Sequence, residues 1–341
     1  SNLLTGLTDT LLQESEAIEE EITEQLYDEY KETRLILINE IIDTGLVEAL
    51  EAVRLAQTIL DRILFVAFAE DKEAFETKNP YSPQPVWDNF KGLFDAIDKG
   101  NPGLNIPGYN GGLFAVNDAI NSLPICDETC RRFAKFGEYD YDSDVSVNIL
   151  GHVFEQSISD IEEIKRSVDP DAPLEDNQES KQQIDGVFYT PPFITRQIVE
   201  NTVGAWLEDQ KQNLGIPGLQ PLTDADYDSI KVSNRGRHKG QVKFNKNVQA
   251  HVEFWEAYKE RLSSIKVVDP ACGSGAFLTE VFDYLLAEGR SVNNLLADLH
   301  GGQVSLFRWD THILANNIFG VDINRESVEI TKLSLWLKTA N

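Results

Sequence analysis

Ile265-Lys-Val-Val-Asp-Pro-Ala-Cys-Gly-Ser-Gly-Ala-Phe-Leu278 is the stretch whose reading decides the fold. Lys266 to Asp269 reads as a short buried strand, β-branched and apolar at Val267 and Val268. Asp269-Pro270 stops it, because proline has no N–H with which to continue a ladder. Ala271 to Gly275 are all small, and Gly273 and Gly275 let the backbone approach a ligand where a Cβ would collide. From Ala276 the apolar residues Phe277, Leu278, Val281, Phe282, Leu285 and Leu286 mark one face of a helix. Strand, glycine turn and helix together predict the first unit of a doubly wound α/β domain, with a ligand at the turn.

Two features narrow that ligand. A carboxylate closes the strand where phosphate loops usually carry cations, and no Gly-Lys-Ser/Thr follows, which disfavours a nucleoside triphosphate. Further on, Asn317-Ile-Phe-Gly-Val-Asp-Ile323 reads as a second buried strand ending in Asp322. An acid at the end of a second strand can accept both hydroxyls of a ribose. The expected ligand therefore carries ribose, needs no phosphate, and places an amine or other cationic part near Asp269. An insertion between Leu286 and Asn316, with Gly301-Gly302, separates turn and acid by more than the roughly 20 residues of a dinucleotide fingerprint. A dinucleotide-type fold with chance glycines is the alternative.

Composition sets the outer limits. The chain has 341 residues, enough for two domains with cores of their own. No apolar run approaches the roughly 20 residues of a membrane helix and no signal peptide is visible, so no membrane association is expected. Three cysteines, Cys126, Cys130 and Cys272, argue against a disulfide framework and for a reducing cytoplasm. Cys126 and Cys130 lack a second pair nearby, so no metal site is expected. The net charge of −27 is awkward for a nucleic-acid partner, which normally demands clustered cations. The one basic island is 231–247, where Lys231, Arg235, Arg237, Lys239, Lys243 and Lys246 occur without an acid. It reads either as a solvated loop or as a phosphate contact. The chain has no methionine and begins Ser1-Asn2, as an expressed fragment would whose methionines were replaced or are missing from the sequence; missing ones would shift helical phases at hidden gaps, so short motifs carry more weight than long periodicities.

Asp269-Pro-Ala-Cys-Gly-Ser-Gly-Ala-Phe277 resembles the first motif of amino-group DNA methyltransferases, which use S-adenosyl-L-methionine to methylate adenine N6. Gly186-Val-Phe-Tyr-Thr-Pro-Pro-Phe193 resembles the upstream cofactor motif of the γ arrangement, Asp322 matches the ribose acid, and Ser334-Leu-Trp-Leu337 matches the helix after it. Within that group the chain looks like the large type IIG or IIL restriction–modification and BREX-type phage-defence enzymes. Asp61-Arg-Ile-Leu-Phe65, Pro107-Gly-Tyr-Asn-Gly-Gly-Leu-Phe114 and Ser146-Val-Asn-Ile-Leu-Gly-His-Val-Phe-Glu155 resemble segments of their upstream helical region. The resemblance covers most of 60–341; residues 1–50 match nothing recognisable.

The resemblance implies a Rossmann-like fold and a set of roles. Tyr189, Thr190 and Pro191 would border the methionine end of the cofactor, and Ala271, Cys272, Gly273 and Gly275 its middle. Asp269 would face the cationic end, with Asp322 and Ile323 at the ribose side. The partner would be double-stranded DNA, contacted here at most through Arg235, Arg237, Lys239 and Lys243. The Asn/Asp-Pro-Pro-Tyr/Phe tetrapeptide that acts on a flipped adenine does not follow Asp322, so the catalytic residues are expected beyond Asn341. These 341 residues should then carry the cofactor half and not methylate DNA alone. Rival readings are a protein-glutamine methyltransferase, which uses a similar glycine turn, and a non-catalytic DNA-binding or assembly module.

The expected organisation is a helical domain over 1–165, an acidic linker over 166–184, and the first part of the methyltransferase domain over 185–341. Glu51 to Asp71 should be a helix with Leu55, Ile59, Ile63, Phe65, Val66 and Phe68 inward. Glu29-Tyr-Lys31 imitates a nuclease fragment but falls among helix-type charges, and His152 reads as a packed histidine, not a base. Residues 213–247 read as a polar hairpin or loop on the surface.

Overall fold

The computed structural model describes residues 2–71, 86–104, 106, 108, 112–139, 151, 153, 157, 160, 164, 190, 192–232, 242–302 and 307–339. They fall into two compact units, one of Ser1–Tyr189, Gly273–Gly275 and Asp322–Asn341, the other of Thr190–Cys272 and Ala276–Val321. The expected linker at 166–184 and His152 lie outside the described residues.

The first unit is helical. α1 (Asn2–Asp43) and α2 (Ala49–Asp71) are joined by the turn 44–48, where Gly45 takes φ +64°. α2 is apolar nearly all round and buried accordingly, with Ile59, Leu60, Phe65 and Phe68 at 0% exposure. The six inward residues expected from its sequence are all in the core. α1 lays Leu26, Tyr30, Leu37, Ile38 and Ile41 against that core, so Glu29-Tyr-Lys31 lies within a helix. α3 (Val86–Lys99), the short α4 (Asp118–Ser122) and α5 (Asp127–Lys135) close it with Trp87, Phe94, Ile120 and Phe133. Several polar side chains in this core pair with one another, as burial favours. Arg34 donates to Ser157 Oγ at 2.6 Å and to Asp160 at 3.1 Å, while Tyr30 and Gln57 converge on Asp61 Oδ1 at 2.8 and 2.7 Å. Burial, then the Asp61 carboxylate, pushes the Tyr30 phenol well above its ordinary range.

The second unit begins with α6 (Pro192–Val199), a π turn (Glu200–Gly204) and α7 (Ala205–Asn213). The polar excursion that follows contains α8 (Asp224–Asp228) and an antiparallel hairpin of β1 (Lys231–Val232) and β2 (Val242–Lys243). Asp226 anchors it: its carboxylate accepts from Asn245 and then from Thr223, which hold it well below the usual carboxylate range. α9 (Lys246–Ser264) leads into β3 (Val267–Asp269), and then come α10 (Ala276–Leu299), α11 (Trp309–Asn316) and β4 (Ile318–Gly320). β3 and β4 pair in parallel, Val267 beside Ile318, Val268 beside Phe319 and Asp269 beside Gly320. Parallel strands joined through helices are the βαβ arrangement expected from the glycine turn. The chain then returns to the first unit in α12 (Arg325–Leu337), whose Ile330, Leu333 and Leu337 join the helical core and whose Trp336 ring lies 5.4 Å from Phe65.

One expectation changes, and another gains its structure. The strand is present but not fully buried: Val268 is 62% exposed and its neighbour Phe319 is 45% exposed. β-branching made the strand, whereas burial depends on what covers the face, and no described residue covers this one. The insertion after Leu286 begins as helix, because α10 runs on to Leu299 with Gly289, Val292, Leu296 and Leu299 continuing its buried face. Gly289 is needed there: a Cβ would lie 2.4 Å from the Trp309 ring.

Candidate functional site

The two strand starts are clamped by one side chain. Asn317, fully buried, donates from Nδ2 to the carbonyls of Ser263 at 3.0 Å and Ile265 at 2.8 Å. Val267 N–H in turn donates to the Asn317 carbonyl at 2.7 Å. At the other end the pairing outlasts the strands, with Val321 N–H on the Asp269 carbonyl at 2.9 Å and Cys272 N–H on the Val321 carbonyl at 3.0 Å. Gly320 allows α10 to close on this edge, since a Cβ there would lie 2.7 Å from Leu278 Cδ1 and 3.0 Å from Cys272 Sγ. Asp269 Oδ1 accepts the Ala271 N–H at 3.1 Å, and Asp269 Oδ2 is buried with no partner. A carboxylate oxygen buried without a donor is costly.

Within the first unit, Asp322 is held by backbone on both sides. Gly273 N–H donates to Oδ2 at 2.9 Å and Asn324 N–H to Oδ1 at 2.8 Å. Each oxygen keeps a lone pair for a further donor, such as a hydroxyl. Gly273 and Gly275 take φ +52° and +92°, conformations costly for any residue with a Cβ. Ile323 is 80% exposed, an apolar side chain standing free beside the acid. Asn324 starts α12 by accepting the Ser327 N–H at 2.9 Å.

The remaining predicted residues divide as follows. Ala271 is exposed and Cys272 buried, both in the turn after β3. Thr190, half-buried, precedes α6, and Lys243 is exposed on β2, away from the turn in the chain. Tyr189, Pro191, Arg235, Arg237 and Lys239 lie outside the described residues. Sequence reasoning missed Asn317 as a clamp and Thr331, whose hydroxyl donates to the Gly273 carbonyl at 2.7 Å. Neither carries a motif; each acts on residues about 50 or more positions away in the chain.

Comparison with known proteins follows the same line. Residues 244–341 match the family model described as the DNA-methyltransferase domain of MmeI. A protein of Methanocaldococcus jannaschii, named as a type II restriction enzyme and methyltransferase, is 26% identical over 90% of this chain and 26% of its own length. The adenine-specific methyltransferase BrxX of Escherichia coli is 28% identical over 44% of this chain and 10% of its own. The adenine-specific methyltransferase PglX of Lacticaseibacillus casei is 22% identical over 82% of this chain and 19% of its own. The chain thus spans about a quarter or less of the curated relatives it matches. In fold it is similar to the type IIL restriction–modification enzyme MmeI, solved in complex with DNA, with a TM-score of 0.54, 19% identity, and coverage of 93% of this chain and 35% of that one. Over most of its length the chain is thus similar in fold to the solved MmeI enzyme, and in sequence to the Methanocaldococcus and Lacticaseibacillus proteins.

Proposed function

We propose that this chain is the cofactor-binding part of an S-adenosyl-L-methionine-dependent DNA methyltransferase that modifies adenine N6 at a specific site. The setting would be restriction–modification or phage defence in the cytoplasm. The reading rests on Asp322, whose two oxygens are fixed by turn and helix N–H groups beside the exposed Ile323. That is the disposition a ribose diol and an adenine face require: two oriented acceptors and an apolar platform.

The residues present fit the proposed cofactor. The unpartnered Asp269 Oδ2 suits its cationic end, and the positive-φ glycines leave room where side chains would intrude. The bound cofactor would supply an electrophilic methyl group on a sulfonium. The work of this chain is to hold it: Asp322 accepts the ribose hydroxyls and Asp269 offers charge. Ala271, Cys272, Gly273 and Gly275 line its middle, Ile323 covers the base, and Tyr189, Thr190 and Pro191 border the methionine end. Fixing the methyl donor in one orientation supplies much of the rate in such a transfer. The division into a helical domain over 1–165, a linker over 166–184 and a Rossmann-like part from 185 belongs to the same proposal. Arg235, Arg237, Lys239 and Lys243 are assigned to the DNA backbone.

The test is methyl transfer from labelled S-adenosyl-L-methionine to plasmid DNA by the full-length protein, with the product nucleoside identified by mass spectrometry. N6-methyladenine in DNA, lost with Asp322→Ala, is expected. Label appearing in protein glutamine and not in DNA would replace this reading with the protein-methylating one.

A further inference from the structure

The turn Gly273–Gly275 clusters with the helical residues and not with the strand and helix that flank it in sequence. Its contacts there are specific. Thr331, 5% exposed on α12, donates its hydroxyl to the Gly273 carbonyl at 2.7 Å. Gly275 lies so near the same residue that a Cβ would be 2.9 Å from Thr331 Cγ2 and 3.2 Å from its Cα. Ser274 is 4% exposed, and a Cβ on Gly151 would come within 2.7 Å of its hydroxyl. The Gly273 N–H is taken by Asp322 and the Gly273 carbonyl by Thr331. Both peptide planes of a glycine at φ +52° are therefore fixed, at a residue that would otherwise roam most freely.

α12 is itself held from the other side. Two residues before Thr331, Glu329 Oε2 accepts the Gly112 N–H at 3.0 Å. Gly112 opens a tight turn whose Leu113 and Ala115 carbonyls are gripped by the Arg62 guanidinium, each at 2.8 Å. Arg62 is 3% exposed on α2, with its guanidinium 5.3 Å from the Phe94 ring centre and 5.8 Å from that of Phe114. A continuous line of hydrogen bonds thus runs from the central helix of the first unit, through the 112–115 turn and α12, to the Gly273 carbonyl.

We propose that Thr331 is a positioning residue for the cofactor turn, and that Arg62, Gly112 and Glu329 make the helical region a working part of the cofactor site. The inference rests on the cofactor reading above. Thr331 touches the turn, not the cofactor, and acts by presenting the Gly273 peptides in the one conformation that leaves Asp322 correctly oriented. Glu329 acts one step further back, by fixing α12.

The experiment uses the full-length protein. Cofactor affinity by equilibrium dialysis, and the KM and kcat of DNA methylation, are measured for wild type, Thr331→Val, Thr331→Ser, Glu329→Ala and Asp322→Ala. Thr331→Val keeps the shape and removes the donor; we expect cofactor affinity to fall about tenfold, the scale of one lost buried hydrogen bond. The loss should appear in the KM for cofactor, with kcat and the KM for DNA little changed, whereas a merely structural role would lower the active fraction and hence kcat. Thr331→Ser should restore affinity to within about twofold, and Glu329→Ala should weaken it by a few-fold, less than Thr331→Val. Wild-type affinity in Thr331→Val while Asp322→Ala binds poorly would overturn the positioning role and leave the cofactor site standing. Unchanged affinity in Asp322→Ala would remove the cofactor reading and this inference with it.

Discussion

Asp269 is the residue whose environment is hardest to explain without a ligand. One oxygen serves the Ala271 N–H and the other is buried and unpartnered. If Oδ2 faces a cofactor cation, replacing the carboxylate should separate two quantities that usually fall together. Asp269→Asn removes an uncompensated buried charge and retains the acceptor for Ala271. The ligand-free protein should melt at the same temperature or higher, while the stabilisation added by S-adenosyl-L-methionine shrinks; a lower melting point with full cofactor stabilisation would contradict the assignment. The sequence singled out Asp269 because a short apolar run ends there in an acid before small residues, and Asp322 because a second apolar run ends in an acid. Thr331 and Asn317 were not singled out, because a lone Thr or Asn inside an ordinary pattern gives no sign that it reaches a backbone 52 or 58 residues away.

Among the elements, the β1–β2 hairpin and α10 carry the clearest consequences. Lys231 and Lys243 face each other across the ladder and both are exposed. Like charges directly opposite are unfavourable in a sheet, so two lysines placed this way suit an anionic partner. Lys231→Gln with Lys243→Gln should leave the melting temperature unchanged or raised. It should also reduce the slope of log affinity for DNA against log salt by about 2, at roughly 0.9 per phosphate contact. An unchanged slope would dismiss the hairpin as a DNA contact. For α10, Gly289→Val would drive a side chain into the Trp309 ring, 2.4 Å from the first added carbon. We expect a loss of roughly 1–3 kcal/mol, read from urea unfolding; wild-type stability would mean that Trp309 packs elsewhere. The sequence announced α10 by its apolar period as far as Leu286, and Gly301-Gly302 then drew attention away from the continuation through Val292 and Leu296. The exposure of Val268 was invisible for a different reason: strand propensity is local, and cover is supplied by other parts of a fold.

For the whole molecule, the division in sequence and the division in space differ at one instructive place. The motif order suggests that everything after residue 185 belongs together, yet the turn and α12 cluster with the helical core through Ile330, Leu333, Leu337 and Trp336. A short apolar helix buries its face wherever an apolar surface is available, and motif spacing says nothing about which surface that is. The helical region in turn pairs much of its polar interior internally, through Arg34, Asp160, Ser157, Gln57, Tyr30 and Asp61. The net charge of −27 leaves the basic hairpin as a local exception, so contact with DNA by this part should be confined to it and strongly salt-dependent.

The most direct test of the central assignment is calorimetric titration of S-adenosyl-L-methionine into the full-length protein and into its Asp322→Ala variant. One-site binding to the wild type, weakened about 10- to 100-fold in the variant, is expected from the loss of charge-assisted hydrogen bonds to a ribose. Equal affinity in the two proteins, or no binding to either, would contradict it.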